Sequence, residues 1–313
     1  MQDKHILVTG SHRSGTTWVG NTIAEHPGIS YIHEPFNVEN PNPFFGYKFN
    51  TWFYYVQGTD QEEKIYNSFS RLFNPISSPF WRGINACRYN KLDILTPMRF
   101  FKHLMIGILN PNRKLIKDPI AIMSAEWLYN AFDLKVICMI RNPLAFCGSL
   151  KKANWGFPFE HLMRQKGLVS SYLSEFEEVL KVYSAESPDI VDQACQIWNI
   201  IYFIVNKFER SHPDWYFIKH EELAQDPIEG FNKIFRYIGI SMNPEIEASI
   251  EKHTSSSNPI ESDSKIWGFQ SIDAKGSLTS WKSRLTSFEI ERVISQTSDI
   301  AENFYQLQDG EYV

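Results

Sequence analysis

Short runs of apolar residues recur along the chain, and segments with apolar positions at helical spacing separate them. The first run, at residues 5–10, ends at a glycine, and residues 14–25 then show helical spacing. Further short apolar runs follow at 29–32, 115–116, 136–140 and 215–218, with helical segments at 191–210 and 227–238. Strands that alternate with helices predict an α/β fold, a parallel sheet flanked by helices on both faces.

Residues 38–113 interrupt this alternation. They are rich in Asn, Pro and aromatic residues, including the run from Trp52 to Tyr55 and the pair Phe80-Trp81. We interpret the stretch as an insertion within one domain that spans residues 1–313. A Ser-rich stretch at 255–264, with the residues up to Trp281, predicts a loop lying over the sheet edge.

Composition and charge narrow the classes of protein. With 313 residues, 43% of them hydrophobic, the chain can bury a sizeable core. A formal net charge of −5 gives no electrostatic reason to expect a nucleic-acid partner. The apolar run before Gly10 is far shorter than a signal-peptide core or a membrane span, so we expect a cytoplasmic chain. The cysteines lack close metal-ligand spacing, and no disulfide is expected among Cys87, Cys138, Cys147 and Cys195.

The segment between the first predicted strand and the first helix, residues 10–17, reads Gly-Ser-His-Arg-Ser-Gly-Thr-Thr. Backbone N–H groups and a helix dipole converge on an anion at such a turn, and the two glycines have P-loop spacing. Nucleotide triphosphatases need Lys where this chain has Thr16, and the strand at 136–140 ends in Arg141 rather than in a magnesium-positioning Asp. The pattern indicates a P-loop-like anion site and disfavours a magnesium-dependent ATPase or GTPase. A plain Gly-rich turn is the alternative, which the combination of strand, Arg13, two threonines and helix disfavours.

Two arginines follow predicted strands. Arg13 and Arg141 are both expected at the carboxyl edge of the parallel sheet, where ligands of such folds bind. The planar guanidinium donates two hydrogen bonds at once, which suits phosphate and sulfate. The alternative for Arg141 is a surface or salt-bridged arginine, which its place before Asn-Pro at a strand end disfavours.

The motif Arg13-Ser14-Gly15-Thr16-Thr17-Trp18 resembles the 5'-phosphosulfate loop of sulfotransferases that use 3'-phosphoadenosine 5'-phosphosulfate (PAPS). Arg141-Asn142-Pro143, with Ser149 eight residues after the arginine, resembles the 3'-phosphate signature of the same family. The resemblance covers residues 5–35 and 114–285 in outline and leaves the insertion unmatched. It implies a P-loop-like sulfotransferase fold, PAPS as cosubstrate, no metal, and acceptor specificity that resides in the insertion.

Two further similarities are weaker. Lys275-Gly276-Ser277 followed by Trp281 is similar to the C-terminal loop that closes over the 3'-phosphate, although cytosolic members have Arg where this chain has Ala274. His220 stands where a Tyr commonly contacts the adenine side in the family. The alternative, a strand-end histidine whose ring is satisfied locally, stays open.

The catalytic candidates follow from what sulfuryl transfer requires. It needs an aligned acceptor oxygen, donors for the charge on the transferring and leaving groups, and usually a base. Arg13 and Lys117 are the candidates for charge stabilisation, and Thr16 and Thr17 for holding the 5'-phosphate that leaves with the nucleotide.

The base differs from that of cytosolic members, which use a His after the strand equivalent to 115–116. Here the sequence is Lys117-Asp118-Pro119, which resembles tyrosylprotein sulfotransferases, whose base is a Glu after the second strand. Glu34-Pro35 stands at that place and also resembles Golgi-type carbohydrate sulfotransferases. Glu34 is the first candidate for the base and Asp118 the second. The alternative for Glu34 is a strand-end carboxylate that pairs with Arg13 or caps a turn. Strand alternation is expected to point His33 away from Glu34.

The sequence thus predicts an enzyme that transfers a sulfuryl group from PAPS to a hydroxyl of a carbohydrate or small molecule and releases the desulfated nucleotide PAP. A P-loop nucleotide kinase and a non-catalytic PAPS- or PAP-binding module are the alternatives. Neither nucleic acid nor a membrane span is expected.

Overall fold

In the computed structural model, which describes residues 4–42, 45–73, 113–186, 188–261 and 269–312, five parallel strands form the central sheet. Each strand lies on one of the predicted apolar runs. The strand order is β2-β3-β1-β4-β5, and every neighbouring pair is parallel. The strands are β1 Ile6–Gly10, β2 Ile29–His33, β3 Arg113–Lys117, β4 Lys135–Ile140 and β5 Tyr216–Lys219. A short antiparallel hairpin near the C-terminus pairs β6 Leu307–Gln308 with β7 Glu311–Tyr312.

Helices connect and cover the strands, and the predicted segments 191–210 and 227–238 are helical within a residue of the expected bounds. The helices are α1 Thr16–Ala24, α2 Glu62–Phe73, α3 Ala125–Phe132, α4 Pro143–Ala153, α5 Glu160–Met163, α6 Lys166–Leu168, α7 Glu177–Ala185, α8 Ile190–Ser211, α9 His220–Gln225, α10 Pro227–Ile238, α11 Pro244–Thr254, α12 Ala274–Ser277 and α13 Ser287–Ala301. Short non-α turns occupy Pro119–Ser124, Val169–Leu173, Ser174–Phe176 and Ser280–Ser283.

The sheet buries apolar side chains on both faces. Along β1, Leu7 packs into one hydrophobic cluster, whereas Ile6 and Val8 pack into the other. Helices α4 and α8 contribute to the first cluster, and α1, α10 and α11 contribute to the second. A strand buried on both faces reads as a continuous apolar run, which is why these strands were visible in the sequence.

The described part of the insertion packs on this core. Phe49 stacks on Phe36 with ring centroids 4.4 Å apart, and Phe45 meets Phe69 of α2 edge-on at 4.5 Å. All four rings are buried in the cluster that covers one face of the sheet. The predicted aromatic residues Phe80 and Trp81 lie outside the described residues.

Two helix starts bring their N-termini to the same edge of the sheet. Helix α1 follows β1, and α4 follows the adjacent β4. At the first, Gly15 has φ 93°, and a Cβ there would lie 2.5 Å from His220 Nδ1, so only glycine fits. At the second, the Asn142 side chain accepts the Leu144 N–H at 2.9 Å, ahead of a proline in the first turn.

Three of the four cysteines are described, and all three are free and buried. Cys147 and Cys195 approach to 3.8 Å between sulfur atoms, well beyond the length of a disulfide. Cys87 lies outside the described residues. Within the described ranges, no helix combines the length and apolarity needed to cross a membrane.

Candidate functional site

A cavity of about 1030 Å³ opens at the carboxyl edge of the sheet. Its walls come from the β1–α1 loop, the end of β2, helix α4 and the segment around α12. Of the predicted site residues, Arg13, Gly15, Thr16, Thr17, Glu34, Arg141, Ser149 and His220 line it. Ser14, Trp18, Lys117, Asp118, Lys275 and Gly276 lie behind or beside this wall.

Arg13 is a cation without an acidic partner. Its backbone is left-handed, with φ 63°, and its Nε donates to Ser149 Oγ at 2.8 Å. The guanidinium lies 5.6 Å from the Trp155 ring centre, and among the described residues no carboxylate lies within ion-pair distance. Burial first, and then the charges of Arg141 and Arg284, lower the pKa of Arg13, which nonetheless stays protonated. An uncompensated guanidinium at a helix N-terminus is suited to an anionic ligand.

Arg141 is fixed through its backbone as well as its side chain. It is 8% exposed, and its Nε lies 3.5 Å from Glu221 Oε1. Its N–H donates to the Tyr202 hydroxyl at 2.8 Å, and its carbonyl accepts Trp198 Nε1–H at 2.9 Å. Arg13 and Arg141 line the same cavity, and Ser149 on α4 lines it as well.

Ser14 and Trp18 support the loop from behind. Ser14 Oγ donates to the Ser11 carbonyl at 2.5 Å, which closes the turn that presents Arg13. Trp18 packs edge-on against the His220 ring, with centroids 5.8 Å apart. Burial, and then the charge of Arg141, lower the pKa of His220, so this imidazole is neutral at the cavity wall.

The predicted pair in the C-terminal loop, Lys275 and Gly276, does not line the cavity, whereas other residues of that loop do. Lys275 is exposed, and the Gly276 N–H donates to Asp273 Oδ1 at 2.9 Å, which caps α12. Ser277 and Ser280 line the cavity instead. A role for Lys275 and Gly276 in closing over the nucleotide stays a prediction.

Glu34, which lines the cavity, forms an ion pair with the fully buried Lys117 and is itself partly exposed. Lys117 ends β3, is 0% exposed and donates to Glu34 Oε1. Glu34 Oε2 accepts Asn37 Nδ2–H at 2.6 Å. Burial alone would raise the pKa of Glu34, but the charges of Lys117 and His33 and these hydrogen bonds outweigh it and lower the pKa. Glu34 is therefore an ionised carboxylate, and its cationic partner is Lys117 rather than Arg13.

The expectation that His33 points away from Glu34 is wrong. Strand β2 ends at His33, and Glu34 takes a left-handed backbone with φ 37°, so the alternation of the strand no longer applies. His33 Nε2 lies 3.9 Å from Glu34 Oε2, and both side chains line the cavity.

Asp118 lies beneath the cavity wall rather than in it. It is 0% exposed, its Oδ1 accepts the Ile120 N–H at 3.0 Å and its Oδ2 accepts the Phe36 N–H at 2.7 Å. Burial first, and then the charge of Glu34, raise the pKa of Asp118 to about 7. Its oxygens are occupied by backbone donors, so the structure gives Asp118 a role in tying the turn after Glu34 to the end of β3.

Several cavity residues were missed by the sequence reasoning. Arg284 lines the cavity, and its Nε and Nη2 donate to Glu261 Oε1 at 3.0 and 2.7 Å. No sequence signal marks Arg284, whereas His12 could have been singled out by its place beside Arg13. Burial, and then the charge of Arg13, lower the pKa of His12 to about 4, so its imidazole is neutral.

The remaining wall, which we call the acceptor wall, has an aromatic part and a polar part. The aromatic part includes Trp155, which is 50% exposed. It also includes His12, whose ring centroid lies 5.0 Å from that of the buried Phe146. The polar part continues from Glu34 along the chain. The acceptor wall comprises His12, His33, Asn37, Glu39, Asn40, Asn42, Trp52, Phe53, Trp155 and Phe157.

This combination of a parallel α/β sheet, an arginine-bearing loop before a helix and a second arginine at the next strand end defines a P-loop-like anion-binding protein. The sulfotransferase domain model matches residues 3–306, and the chain belongs to that family. The predictions of the family and of the α/β fold are confirmed, and the kinase alternative is not favoured.

Curated relatives are similar at low identity. Carbohydrate sulfotransferase 5 of Mus musculus is 21% identical over 92% of this chain and 77% of its own length. Carbohydrate sulfotransferase 6 of Homo sapiens is 22% identical over 82% of this chain and 69% of its own length. Carbohydrate sulfotransferase 2 of Mus musculus is 24% identical over 66% of this chain, which spans only 38% of that protein.

Solved structures with a similar chain trace include mouse sulfotransferase SULT7A1 complexed with PAP, at 15% identity and a TM-score of 0.49, covering 97% of this chain and 86% of that one. The sulfotransferase domain from the curacin biosynthetic pathway is 16% identical, with a TM-score of 0.45, over 94% of this chain and 97% of that one. In the part of the chain that the structure describes, no group of three or more His, Cys, Asp or Glu side chains is arranged to hold a metal ion.

Proposed function

We propose that this chain transfers the sulfuryl group of PAPS to a hydroxyl of a carbohydrate or small-molecule acceptor and releases PAP. The observation that carries the proposal is that Arg13 and Glu34 line one cavity, while Glu34 is paired with the fully buried Lys117. Among the described residues Arg13 has no carboxylate partner, and it faces the cavity next to a helix N-terminus, while the ionised Glu34 lines the same cavity and is paired with Lys117. The first arrangement suits an anionic donor and the second suits proton removal.

The described residues fit the donor. Arg13, Thr16 and Thr17 are assigned to the 5'-phosphosulfate, because the N-terminus of α1 carries no side-chain cap and its N–H groups are free to meet an anion. Arg141 and Ser149 are assigned to the 3'-phosphate. The volume of about 1030 Å³ is at the upper end for small-molecule sites, which leaves room for an acceptor beside the nucleotide.

PAPS supplies an activated sulfuryl group whose leaving group is the 5'-phosphate of PAP. As the acceptor oxygen bonds to sulfur, the bond from sulfur to the phosphate oxygen breaks, and Glu34 takes the acceptor proton. Lys117 and Arg13 stabilise the negative charge that develops on the transferring group and on the leaving phosphate. When Glu34 gains the proton its attraction for Lys117 falls, which frees that ammonium for the charge on the sulfuryl oxygens.

A carbohydrate is the preferred acceptor. The acceptor wall combines an exposed indole, Trp155, with the amide side chains of Asn37, Asn40 and Asn42. An aromatic face packs on the apolar face of a sugar ring, and amides donate to and accept from its hydroxyls. The names of the relatives, all carbohydrate sulfotransferases, support the same class. A cytoplasmic location stays a prediction from the sequence.

Calorimetry with PAP and with ADP, which lacks the 3'-phosphate, tests the nucleotide assignment. We expect PAP to bind at least about 10-fold more tightly, since Arg141 and Ser149 would meet the extra phosphate by charge-assisted hydrogen bonds. Equal affinity would remove the assignment, and a larger thermal shift with magnesium-ATP than with PAP would favour the kinase. Turnover of labelled PAPS with candidate sugars separates an enzyme from a non-catalytic binder.

A further inference from the structure

A buried tyrosine hydroxyl connects the two anion-binding elements. Tyr202 on α8 is 0% exposed, and its hydroxyl lies 2.8 Å from Ser11 Oγ in the loop after β1. The same hydroxyl accepts the Arg141 N–H, also at 2.8 Å, at the end of β4. One oxygen atom therefore touches both the loop that presents Arg13 and the residue assigned to the 3'-phosphate.

The contacts on either side make this connection stiff. Trp198, one turn before Tyr202 on α8, donates to the Arg141 carbonyl at 2.9 Å, so both polar groups of Arg141's backbone are held by one helix face. The two rings lie 4.6 Å apart, and both are fully buried. On the loop side, the Ser11 carbonyl accepts both the N–H and the Oγ–H of Ser14, at 3.3 and 2.5 Å.

Backbone groups just past a strand end have no ladder partner, and buried ones must be satisfied in another way. The Arg141 N–H meets that need by donating to the side-chain hydroxyl of Tyr202. This choice of partner makes the position of Arg141 depend on the position of the β1–α1 loop.

We propose that Tyr202 is a positioning residue that sets the spacing between the two phosphate subsites, and so determines the preference for a nucleotide that carries both a 5'- and a 3'-phosphate. The inference rests on the proposed function. A nucleotide with two phosphates on one ribose gains from both subsites only if their separation is fixed in advance. A nucleotide with one phosphate needs a single subsite and is indifferent to that separation.

Tyr202→Phe removes only the hydroxyl, and calorimetry with PAP, 5'-AMP and 3'-AMP measures the effect. We expect the affinity for PAP to fall about 10-fold, and the affinity for each monophosphate to change less than about 3-fold, as loss of one buried hydrogen bond and of preorganisation implies. The preference for PAP over the monophosphates therefore shrinks.

The matched control is Tyr237→Phe, the same chemical change at the opposite end of the same strand. The Tyr237 hydroxyl accepts the Val136 N–H at 3.2 Å and lies 3.0 Å from the Val136 carbonyl at the start of β4, far from the cavity. We expect Tyr237→Phe to lower the free energy of unfolding without altering the preference among the three nucleotides. A shrunken preference in this control would overturn the assignment to Tyr202.

An equal loss of affinity for all three nucleotides in Tyr202→Phe, or no loss, would also overturn the proposal, since it would show a general structural role or none. If Tyr202→Phe does not fold, Ser11→Ala removes the loop side of the same connection, and the same criterion applies to it. A wild-type protein that binds PAP no more tightly than 5'-AMP would instead contradict the proposed function itself, before any variant is compared.

Discussion

Arg13 lines the cavity and Lys117 lies behind its wall, next to Glu34, and the two cations differ in their partners. Arg13 lies on a loop, keeps its charge near other arginines and, among the residues that the structure describes, has no carboxylate within ion-pair distance. Lys117 ends a strand, is fully buried and is neutralised by Glu34. Under the proposed function, the cation that meets the anionic donor has no carboxylate partner among the described residues, whereas the cation that acts in the chemical step is paired with the carboxylate that takes the proton.

The largest expected effect concerns the ion pair of Glu34 and Lys117. Glu34→Gln keeps the size of the side chain and one oxygen for Lys117 but removes its basicity. General bases typically contribute ~100-fold to 10,000-fold, so we expect kcat to fall by at least about 100-fold with near-normal PAP affinity. Steady-state kinetics and calorimetry on the same samples check both quantities.

Glu175→Gln is the matched control, because Glu175 is exposed and does not line the cavity. We expect its kcat to change by less than about 5-fold, as for an exposed carboxylate outside the reacting atoms. If Glu34→Gln remains active, the acceptor loses its proton late in the reaction and needs no base from the protein. Loss of PAP binding in Glu34→Gln would assign Glu34 to structure.

The second prediction compares stability at the two cations. Lys117→Met leaves Glu34 without its partner, so we expect the free energy of unfolding to drop by about 3 kcal/mol, the scale for breaking a buried pair. Arg13→Met removes a charge that other arginines repel, and we expect a change below about 1 kcal/mol. Urea denaturation of both variants measures the contrast, and similar losses would refute the idea that only one of the cations is compensated.

The third prediction tests the ligand-facing arginines. Arg141→Ala is expected to weaken PAP binding by about 1.5 to 3 kcal/mol, the range for a charge-assisted hydrogen bond, and Arg13→Ala by a similar amount. Arg210→Ala, on the outer end of α8, removes the same charge far from the cavity and is expected to leave PAP affinity unchanged. Unaltered PAP affinity in Arg141→Ala would show that its pairing with Glu221 is its whole role.

The fourth prediction is a slope of stability with pH, which is smallest when counted per pH unit. Because burial and Glu34 raise the pKa of Asp118 from 3.8 to about 7, the folded chain keeps a proton that the unfolded chain loses. Stability relative to Asp118→Asn should therefore fall as pH rises from about 4 to 7, by at most about 1.4 kcal/mol per pH unit. Glu34 has the opposite effect on stability, and at a lower pH. Because its pKa is lowered in the folded chain, the stability it contributes is lost only as the pH falls below 4.5. Denaturation of both proteins across this range gives the slope, and parallel curves would contradict the raised pKa.

The strands and the nucleotide loops were predictable because their signals are local. A strand buried on both faces is a continuous apolar run, and the loop before α1 carries its glycine and threonines in one short motif. The position of Arg141 followed from the same logic, since it directly ends an apolar run.

The parts that escaped prediction depend on backbone conformation or on distant partners. Arg13, Glu34 and Phe53 all have positive φ values and line the cavity, although their residue types give no sign of a left-handed backbone. Such strain gathers at functional sites because the surrounding structure imposes it. The pairing of Arg284 with Glu261, and the bridge that Tyr202 makes, join residues whose proximity only the folded chain creates.

Most of the acceptor wall comes from one stretch of the chain, from Asn37 to Phe53, which begins after Glu34, while the proposed donor subsites come from several separate loops at the sheet edge. A single recombination or loop graft within that stretch would therefore replace most of the surface that selects the acceptor and leave the donor machinery intact. Under the proposed function, exchange of this one segment would change the acceptor while the residues assigned to PAPS stay the same.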